Sequence, residues 1–231
     1  MTIEESLNEM ELDFLHKAEG ILKEEWEEVQ SLINAACLSG KINGFVESDL
    51  MKKRTVSLTK RSPGPLVGFM SIALRDLFIP TYGYPLWDDN ATEIVKKFSK
   101  NILSVGSGAG FVESFLEKGG IDIVATDIDA YEIWKKSFVR VEKLSAYHAI
   151  KKYPEKDLFI SWPTNKSLWA LEAVQNLKKG KYIFLISDIG CCAAEAFYDY
   201  LYNKRIVENI LSVYIPSWEG LMDNLYIFRK R

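Results

Sequence analysis

Cysteine and histidine are scarce in this chain, which has three cysteines and two histidines among 231 residues. Two of the cysteines, Cys191 and Cys192, are sequence neighbours, so the chain carries no disulfide framework and fits a reducing compartment. The histidines, His16 and His148, lie far apart and near no cysteine, which argues against a zinc site. We therefore expect no metal, and we expect Cys191 and Cys192 to be small buried residues rather than nucleophiles.

Long apolar runs and a strong excess of one charge are also missing. The longest apolar stretch, near 65–74, is too short to span a bilayer, and residues 1–14 are acidic without the apolar core of a signal peptide. The net charge of −3 gives no reason to expect a strongly basic nucleic-acid-binding protein. We expect a cytoplasmic protein without membrane contact. The length allows one substantial domain plus an appendage.

What the chain does have is an alternating glycine pattern between two apolar runs. In order, these are the run 102–105, then Gly106, Gly108 and Gly110, a helix-patterned stretch from Phe111, and the run 121–125, which leads to Asp127. This succession predicts a strand, tight turn, helix and strand, as in a right-handed parallel crossover. Glycines let a ligand approach the backbone, and the helix N-terminus favours a carboxylate or phosphate. Asp127 is placed to accept hydrogen bonds from ribose hydroxyls, so the unit predicts a site for a nucleoside-containing cofactor.

The spacing of the glycines separates two kinds of cofactor site. Dinucleotide sites favour G-x-G-x-x-G, whereas the pattern here is G-x-G-x-G, because position 111 is phenylalanine. A simpler interpretation, in which the glycines only turn the corner between strand and helix, stays open at this point.

Helices and strands alternate after this unit and end in two long strands joined by a turn. We predict a helix at about 90–99 capped by Asp88, Asp89 or Asn90, and a connection or short helix at 129–136. The further predicted elements are strand 138–141, a helix ending at 153, strand 157–160, a helix capped by Asn165 or Ser167, strand 181–186, helix 191–202, and strands 206–215 and 224–228. The ligand should lie at the carboxyl ends of the parallel strands.

Residues 1–79 are predicted to form an N-terminal helical appendage, and residues 80–231 the main domain. The stretch 2–38 has amphipathic helical spacing, so its apolar face is expected to pack on the main domain or on a second copy of the chain, as in a homodimer. Residues 66–78 also look helical. The basic stretch 51–61 favours a solvated loop or helix end over a nucleic-acid contact, because it is short and contains no aromatic residue.

Three short motifs in the second half of the chain carry a resemblance. They are Ser161-Trp162-Pro163, Gly190-Cys191 with Phe197-Tyr198-Asp199, and Pro216-Ser217-Trp218-Glu219-Gly220 with Leu225-Tyr226. Together with the glycine unit, they make residues 80–231 resemble a little-characterised branch of the class I S-adenosylmethionine (SAM)-dependent methyltransferases. The resemblance implies an α/β fold with a Rossmann-like seven-stranded sheet whose last strand is antiparallel, and methyl transfer to a nitrogen or oxygen.

The resemblance also implies roles for individual residues. The glycines would face the methionine end of SAM, Asp127 would hold the ribose, and Ile128 would pack on the adenine. Tyr84, with Tyr82 in the aromatic stretch ahead of the first helix of the main domain, is placed either to cover the cofactor pocket or to serve in packing. The candidate cofactor-binding set is Tyr84, Ser104, Gly106, Ser107, Gly108, Gly110, Asp127, Ile128 and Ser145. In the implied catalytic set of Ser161, Trp162 and Pro163, the Ser161 hydroxyl and the Trp162 carbonyl would accept hydrogen bonds from an acceptor amine. Trp162 or Pro163 would present a flat surface to the acceptor, and for Trp162 core packing under the cofactor stays open as the alternative.

Three departures from the pattern keep other functions open. Ser104 and Ser145 stand where acidic residues usually meet the methionine ammonium and the adenine amino group. The (Asp/Asn/Ser)-Pro-Pro-aromatic tetrad of amino-group methyltransferases is half present, since Trp162 and Thr164 replace two of its residues. These departures favour a non-catalytic binding or scaffolding protein that keeps the fold.

The second alternative is a nucleotide-cofactor oxidoreductase. The glycine spacing and the length of chain ahead of the glycine motif count against this alternative. An open pocket between Gly108, Asp127 and Ser161 would favour the enzyme, and a filled one the scaffold. The methyl acceptor is expected to be a small molecule or protein rather than a nucleic acid, and the sequence does not identify it.

Overall fold

The computed structural model describes residue 79 and the ranges 82–130, 137–189, 191–215, 217 and 221–231. The predicted appendage, with its helices over 2–38 and 66–78 and its basic stretch 51–61, lies outside the described residues except for residue 79. Most of the connection predicted at 129–136 lies outside them as well. The boundary between appendage and main domain therefore stays a prediction.

Five helices and seven strands alternate through the described part of the chain. In order they are α1 (Asp89–Phe98), β1 (Asn101–Val105), α2 (Phe111–Lys118), β2 (Asp122–Asp127), β3 (Val141–Lys143), α3 (Ala146–Lys152), β4 (Asp157–Ser161), α4 (Trp169–Asn176), β5 (Tyr182–Ser187), α5 (Glu195–Leu201), β6 (Val207–Tyr214) and β7 (Asn224–Lys230). Asp88, one of the three predicted candidates, is the N-cap of α1. Its Oδ1 accepts a hydrogen bond from the Ala91 N–H at 2.7 Å.

The seven strands form one sheet in the order β3-β2-β1-β4-β5-β7-β6. Strands β1 to β5 pair in parallel, whereas β7 lies antiparallel between β5 and β6. The predicted fold class is therefore confirmed. Because the order reverses between β1 and β4, the carboxyl ends of these two strands and of β2 border the place where α/β sheets bind ligands.

Helices cover both faces of the sheet, and alternate strand residues point to each. On β4, Phe159 packs with Trp87 and the helices α1 and α2, while Leu158 and Ile160 pack with α3, α4 and α5. All three of these β4 side chains are fully buried. This two-residue alternation within an apolar run is what a central strand buried on both sides requires.

A buried lysine joins the end of the chain to α4. Lys230 on β7 is 8% exposed, and its Nζ donates hydrogen bonds to the carbonyls of Val174 and Gln175 at 2.8 and 2.7 Å. These carbonyls belong to the last turn of α4, where backbone acceptors lack helical partners. A cation at this end also complements the helix dipole.

Three predicted boundaries are wrong, two of them because of tertiary contacts. The third strand occupies 141–143 rather than 138–141, because the Phe138 ring packs 5.3 Å from that of Phe111 instead of entering the sheet. Neither Asn165 nor Ser167 caps α4, which begins at Trp169 with Leu168 at the cap position and no side-chain hydrogen bond. The last helix begins at Glu195 instead of Cys191, because the Ala193 N–H donates to the Pro163 carbonyl, with Ala193 at φ 51°.

Candidate functional site

One cavity of about 340 Å³ opens at the carboxyl ends of β1, β2 and β4, and this volume is within the range of small-ligand sites. Its walls come from the segment before α1, the glycine turn, the end of β2, the start of α3 and the end of β4. Its lining residues are Tyr82, Gly83, Tyr84, Pro85, Gly106, Ser107, Gly108, Phe111, Val112, Glu113, Asp127, Ile128, Asp129, Leu144, Ser145, Ala146, Ser161, Trp162, Thr164 and Trp169.

The glycine turn needs glycine for two separate reasons. Gly106 and Gly110 have φ values of +67° and +75°, a region that other residues enter only with strain. A Cβ on Gly106 would lie 2.6 Å from the Trp169 ring, and one on Gly110 would lie 2.5 Å from a Val139 methyl group. The turn therefore brings the backbone into close contact with the first residue of α4 and with the segment before β3, and it leaves the cavity open above it.

Asp127 is held in place by the backbone around it. Its Oδ2 accepts a hydrogen bond from the Gly108 N–H at 2.9 Å, and its Oδ1 accepts one from the Asp129 N–H at 2.8 Å. These two bonds fix the carboxylate at the end of β2 and join it to the glycine turn. Each carboxylate oxygen has a further lone pair, so Asp127 can still accept hydrogen bonds from a ligand.

Two serine hydroxyls at the cavity are buried and have no hydrogen-bond partner among the residues that the structure describes. They are Ser107 Oγ in the glycine turn and Ser161 Oγ at the end of β4, and both residues line the cavity. Buried polar groups in proteins are hydrogen-bonded in the large majority of cases. Unpartnered hydroxyls at the ends of two neighbouring strands of one cavity therefore indicate a polar ligand that would satisfy them.

An aromatic wall closes the side of the cavity next to β4. Trp162 has a left-handed backbone, with φ 46°, and its indole N–H donates to Asp223 Oδ1 at 2.9 Å. The Tyr84 ring is stacked on it, with centroids 5.0 Å apart and an angle of 12° between the planes. Strain of this kind persists only where the surroundings hold it. Here the hydrogen bond to Asp223 and a second one from the Trp162 N–H to the Ile186 carbonyl hold it.

Two acidic residues of the site were missed by the sequence analysis. Asp223 is fully buried, and burial raises its pKa from 3.8 to about 7, an effect that the hydrogen bond from Trp162 opposes and nearby Asp188 increases. Glu113, on the first turn of α2, is 1% exposed and accepts a hydrogen bond from Ser104 Oγ at 2.6 Å. The available signal for Glu113 was an acidic residue within the mostly apolar stretch 111–116, all of which is buried.

The structure brings most of the predicted site residues together around this one cavity. Those that line it are Tyr84, Gly106, Ser107, Gly108, Asp127, Ile128, Ser145, Ser161 and Trp162. The other three lie behind its wall: Ser104 is buried and bonded to Glu113, Gly110 is the N-cap of α2, and Pro163 is buried below the 191–194 turn. Ser145 caps α3, and its Oγ lies 2.8 Å from His148 Nδ1. The functional roles of these residues stay predictions.

The two neighbouring cysteines differ, and the expectation that both are buried is wrong for one of them. Cys192 is buried, which raises the pKa of its thiol to about 11, whereas Cys191 is exposed on the turn before α5. Neither residue lines the cavity. Among the described residues, no group of three or more His, Cys, Asp or Glu side chains is arranged to hold a metal ion. In the same residues, no helix combines the length and apolar character needed to cross a membrane.

The strand order, with an antiparallel β7 inserted between β5 and β6, defines a Rossmann-like fold of the class I methyltransferase type. The predicted resemblance is thereby confirmed at the level of the fold. No protein-family model matches the chain, and no curated protein matches it in sequence.

Several solved structures are similar to this chain. One is the magnesium protoporphyrin IX methyltransferase ChlM from Synechocystis PCC 6803 with bound SAM, at 9% identity and a TM-score of 0.44 over 70% of this chain and 97% of that one. TehB from Haemophilus influenzae has 11% identity and a TM-score of 0.40 over 68% and 67%. An rRNA methylase from Streptococcus thermophilus has 13% identity and a TM-score of 0.39 over 62% and 92%. Because the similarity is this distant, the fold assignment rests on the strand order itself.

Proposed function

We propose that this protein is a SAM-dependent methyltransferase that acts on a nitrogen or oxygen of a small-molecule or protein acceptor. The observation that supports it best is the cavity at the carboxyl ends of β1, β2 and β4, which combines the glycine turn, Asp127 and the two unpartnered hydroxyls. Its volume and its mixture of polar and aromatic walls fit a nucleoside-containing ligand.

The residues present fit the proposed cofactor at both of its ends. Asp127 would accept hydrogen bonds from the ribose, and the exposed Ile128 beside it would pack on the adenine. The glycine turn, where the Ser107 hydroxyl lacks a partner, would receive the amino-acid end near the N-terminus of α2. When bound, SAM supplies a methyl group that its positively charged sulfur has already activated.

The chain's own part in the reaction is mainly to position the acceptor, since alignment of the reactants supplies much of the rate gain in such transfers. Ser161 Oγ would accept a hydrogen bond from the acceptor N–H or O–H. Trp162, fixed by Asp223, would orient the acceptor against its ring. Tyr84, 44% exposed and stacked on Trp162, would cover this side of the cavity and exclude water.

The two alternative functions are less well supported by the same features. A protein that kept the fold only as a scaffold would be expected to fill the cavity with side chains, yet Gly108, Asp127 and Ser161 line an open one. A dinucleotide-dependent oxidoreductase of the doubly wound type has the strand order 3-2-1-4-5-6. The insertion of β7 between β5 and β6 departs from that order.

The test is isothermal titration of the purified protein with SAM, with S-adenosylhomocysteine (SAH) and with NAD. We expect SAM and SAH to bind and NAD not to bind. Asp127→Ala should weaken SAH binding about 10- to 100-fold, because it removes charge-assisted hydrogen bonds and releases the glycine turn. Asp199→Ala, which changes an exposed carboxylate on α5, is the matched control and should bind as the wild type does.

Failure of both sulfur ligands to bind would overturn the proposal, and binding of NAD alone would favour the oxidoreductase. If SAH binds, a screen of amine and hydroxyl acceptors with labelled SAM follows. The homodimer expected through helix 2–38 is a separate proposal, which the mass of the protein in solution by light scattering would test.

A further inference from the structure

An isolated acidic side chain lies at the wall of the cavity beneath the glycine turn. Glu113 is 1% exposed and lines the cavity, and its Oε1 accepts a hydrogen bond of 2.6 Å from Ser104 Oγ. Within the described residues, no lysine, arginine or histidine forms an ion pair with it. A buried carboxyl without a positive partner is costly to keep ionised, so its presence in a ligand cavity calls for an explanation.

The surroundings of Glu113 make this end of the cavity complementary to a cation. Burial raises the pKa of Glu113 from 4.5 to about 7, while the Ser104 hydroxyl on β1 and its own backbone N–H oppose this rise. The charged group that acts on it is Asp127 on β2, a second carboxylate, which raises the pKa further. A positive charge placed between these two carboxyl groups would lower the pKa of Glu113, so that the side chain ionises at neutral pH.

A purely structural role explains these contacts poorly. The four residues around Glu113 on α2, from Phe111 to Phe115, are buried, and an apolar side chain at position 113 would avoid the cost of burying a carboxyl group. The Ser104 hydroxyl donates its hydrogen bond to Glu113 rather than to the backbone, so β1 and α2 together orient the carboxylate. Oriented polar groups of this kind are typical of a binding site.

We propose that Glu113, oriented by Ser104, is the counter-ion for the α-ammonium group of the bound cofactor. This inference rests on the proposed function, because SAM and SAH both carry this ammonium group next to their sulfur-containing chain. The carboxylate thus comes from the helix after the glycine turn, whereas the sequence resemblance placed it on β1 at position 104. Ser104 acts through Glu113 and is a positioning residue.

The test measures how many protons are released when SAH binds. SAH is titrated into the protein by calorimetry at pH 7 in two buffers of different ionisation enthalpy, and the difference between the two heats gives the number of protons. If the ammonium ionises Glu113, wild-type protein should release about half a proton, because its pKa of about 7 leaves half of the carboxyl groups protonated beforehand. The probe 5′-methylthioadenosine has the adenosine and thioether but no amino group. It should bind without releasing a proton.

Two variants and a control distinguish a direct role of Glu113 in binding from a general disturbance of the fold. Glu113→Gln keeps the acceptor for Ser104 and should abolish proton release and weaken SAH binding about 10- to 100-fold, while methylthioadenosine binding is unchanged. Ser104→Ala should shift the pH dependence of SAH binding to higher pH, because it removes the bond that favours ionised Glu113. Glu117→Gln, at an exposed position on the same helix, should behave as the wild type.

The possible outcomes distinguish this inference from the proposed function. Equal SAH affinity, or equal proton release, in wild type and Glu113→Gln would overturn the role of Glu113 while leaving the cofactor site in place. An equal loss of SAH and methylthioadenosine binding in Glu113→Gln would also overturn it, since that indicates a structural role. Failure of SAH to bind wild-type protein would overturn the proposed function itself.

Discussion

Replacing Asp223 by asparagine should change how the stability of the protein depends on pH. Asp223 precedes β7 and is fully buried. Its Oδ1 accepts a hydrogen bond from the Trp162 indole, and its Oδ2 has no partner within the described part of the chain. Burial raises its pKa from 3.8 to about 7. The asparagine variant keeps the acceptor for Trp162 and removes the charge, so it resembles the protonated wild type.

The sign and size of the effect follow from this pKa. Between pH 3.8 and about 7, Asp223 holds a proton in the folded state and loses it on unfolding, so its contribution makes the protein less stable as pH rises. The contribution is complete below pH 3.8 and is lost once the pH passes about 7. Asparagine does not titrate. The free energy of unfolding of Asp223→Asn should therefore rise relative to that of wild type by about 3 kcal/mol from pH 5 to pH 8.

The assay is urea unfolding of wild type and Asp223→Asn at several pH values from 5 to 8. Glu113 also titrates in this range, but it does so in both proteins, so it cancels in the difference. Asp199→Asn, at an exposed position, is the control and should follow the wild-type pH profile. Parallel profiles for wild type and Asp223→Asn would refute the argument, because they would mean that Asp223 is ionised throughout.

Two further substitutions test the glycine turn and the buried lysine. Gly106→Ala should lower the free energy of unfolding by about 1–2 kcal/mol through backbone strain alone, and by more through the contact with Trp169. It should also weaken SAH binding. An unchanged Tm would contradict this account. Lys230→Met should lower the free energy of unfolding in urea by about 1–3 kcal/mol, because it leaves two carbonyls at the end of α4 without their partner. Lys179→Met, at an exposed position, should cost much less, and equal losses for the two lysines would count against the bond to α4.

Local features were predictable because their causes lie within a few residues. The unit from β1 to β2 could be inferred from two apolar runs and three glycines, since the strand, turn and helix each leave their own spacing in the sequence. The Asp88 cap could be proposed because capping joins residues three apart. The third strand could not be placed, because whether Phe138 enters the sheet depends on its packing against Phe111 and Tyr82, which are distant in the sequence.

The sequence by itself determined the α/β alternation, the glycine turn and the carboxylate at the end of β2, and with them the kind of ligand to expect. Only the tertiary structure decided the strand order and the partners of the buried acidic groups. Asp223 meets Trp162 across 61 positions, and Glu113 meets Ser104 across the strand–helix turn. Such contacts leave no periodic pattern, because they follow from how the strands and helices pack and not from the spacing of residues along any one of them.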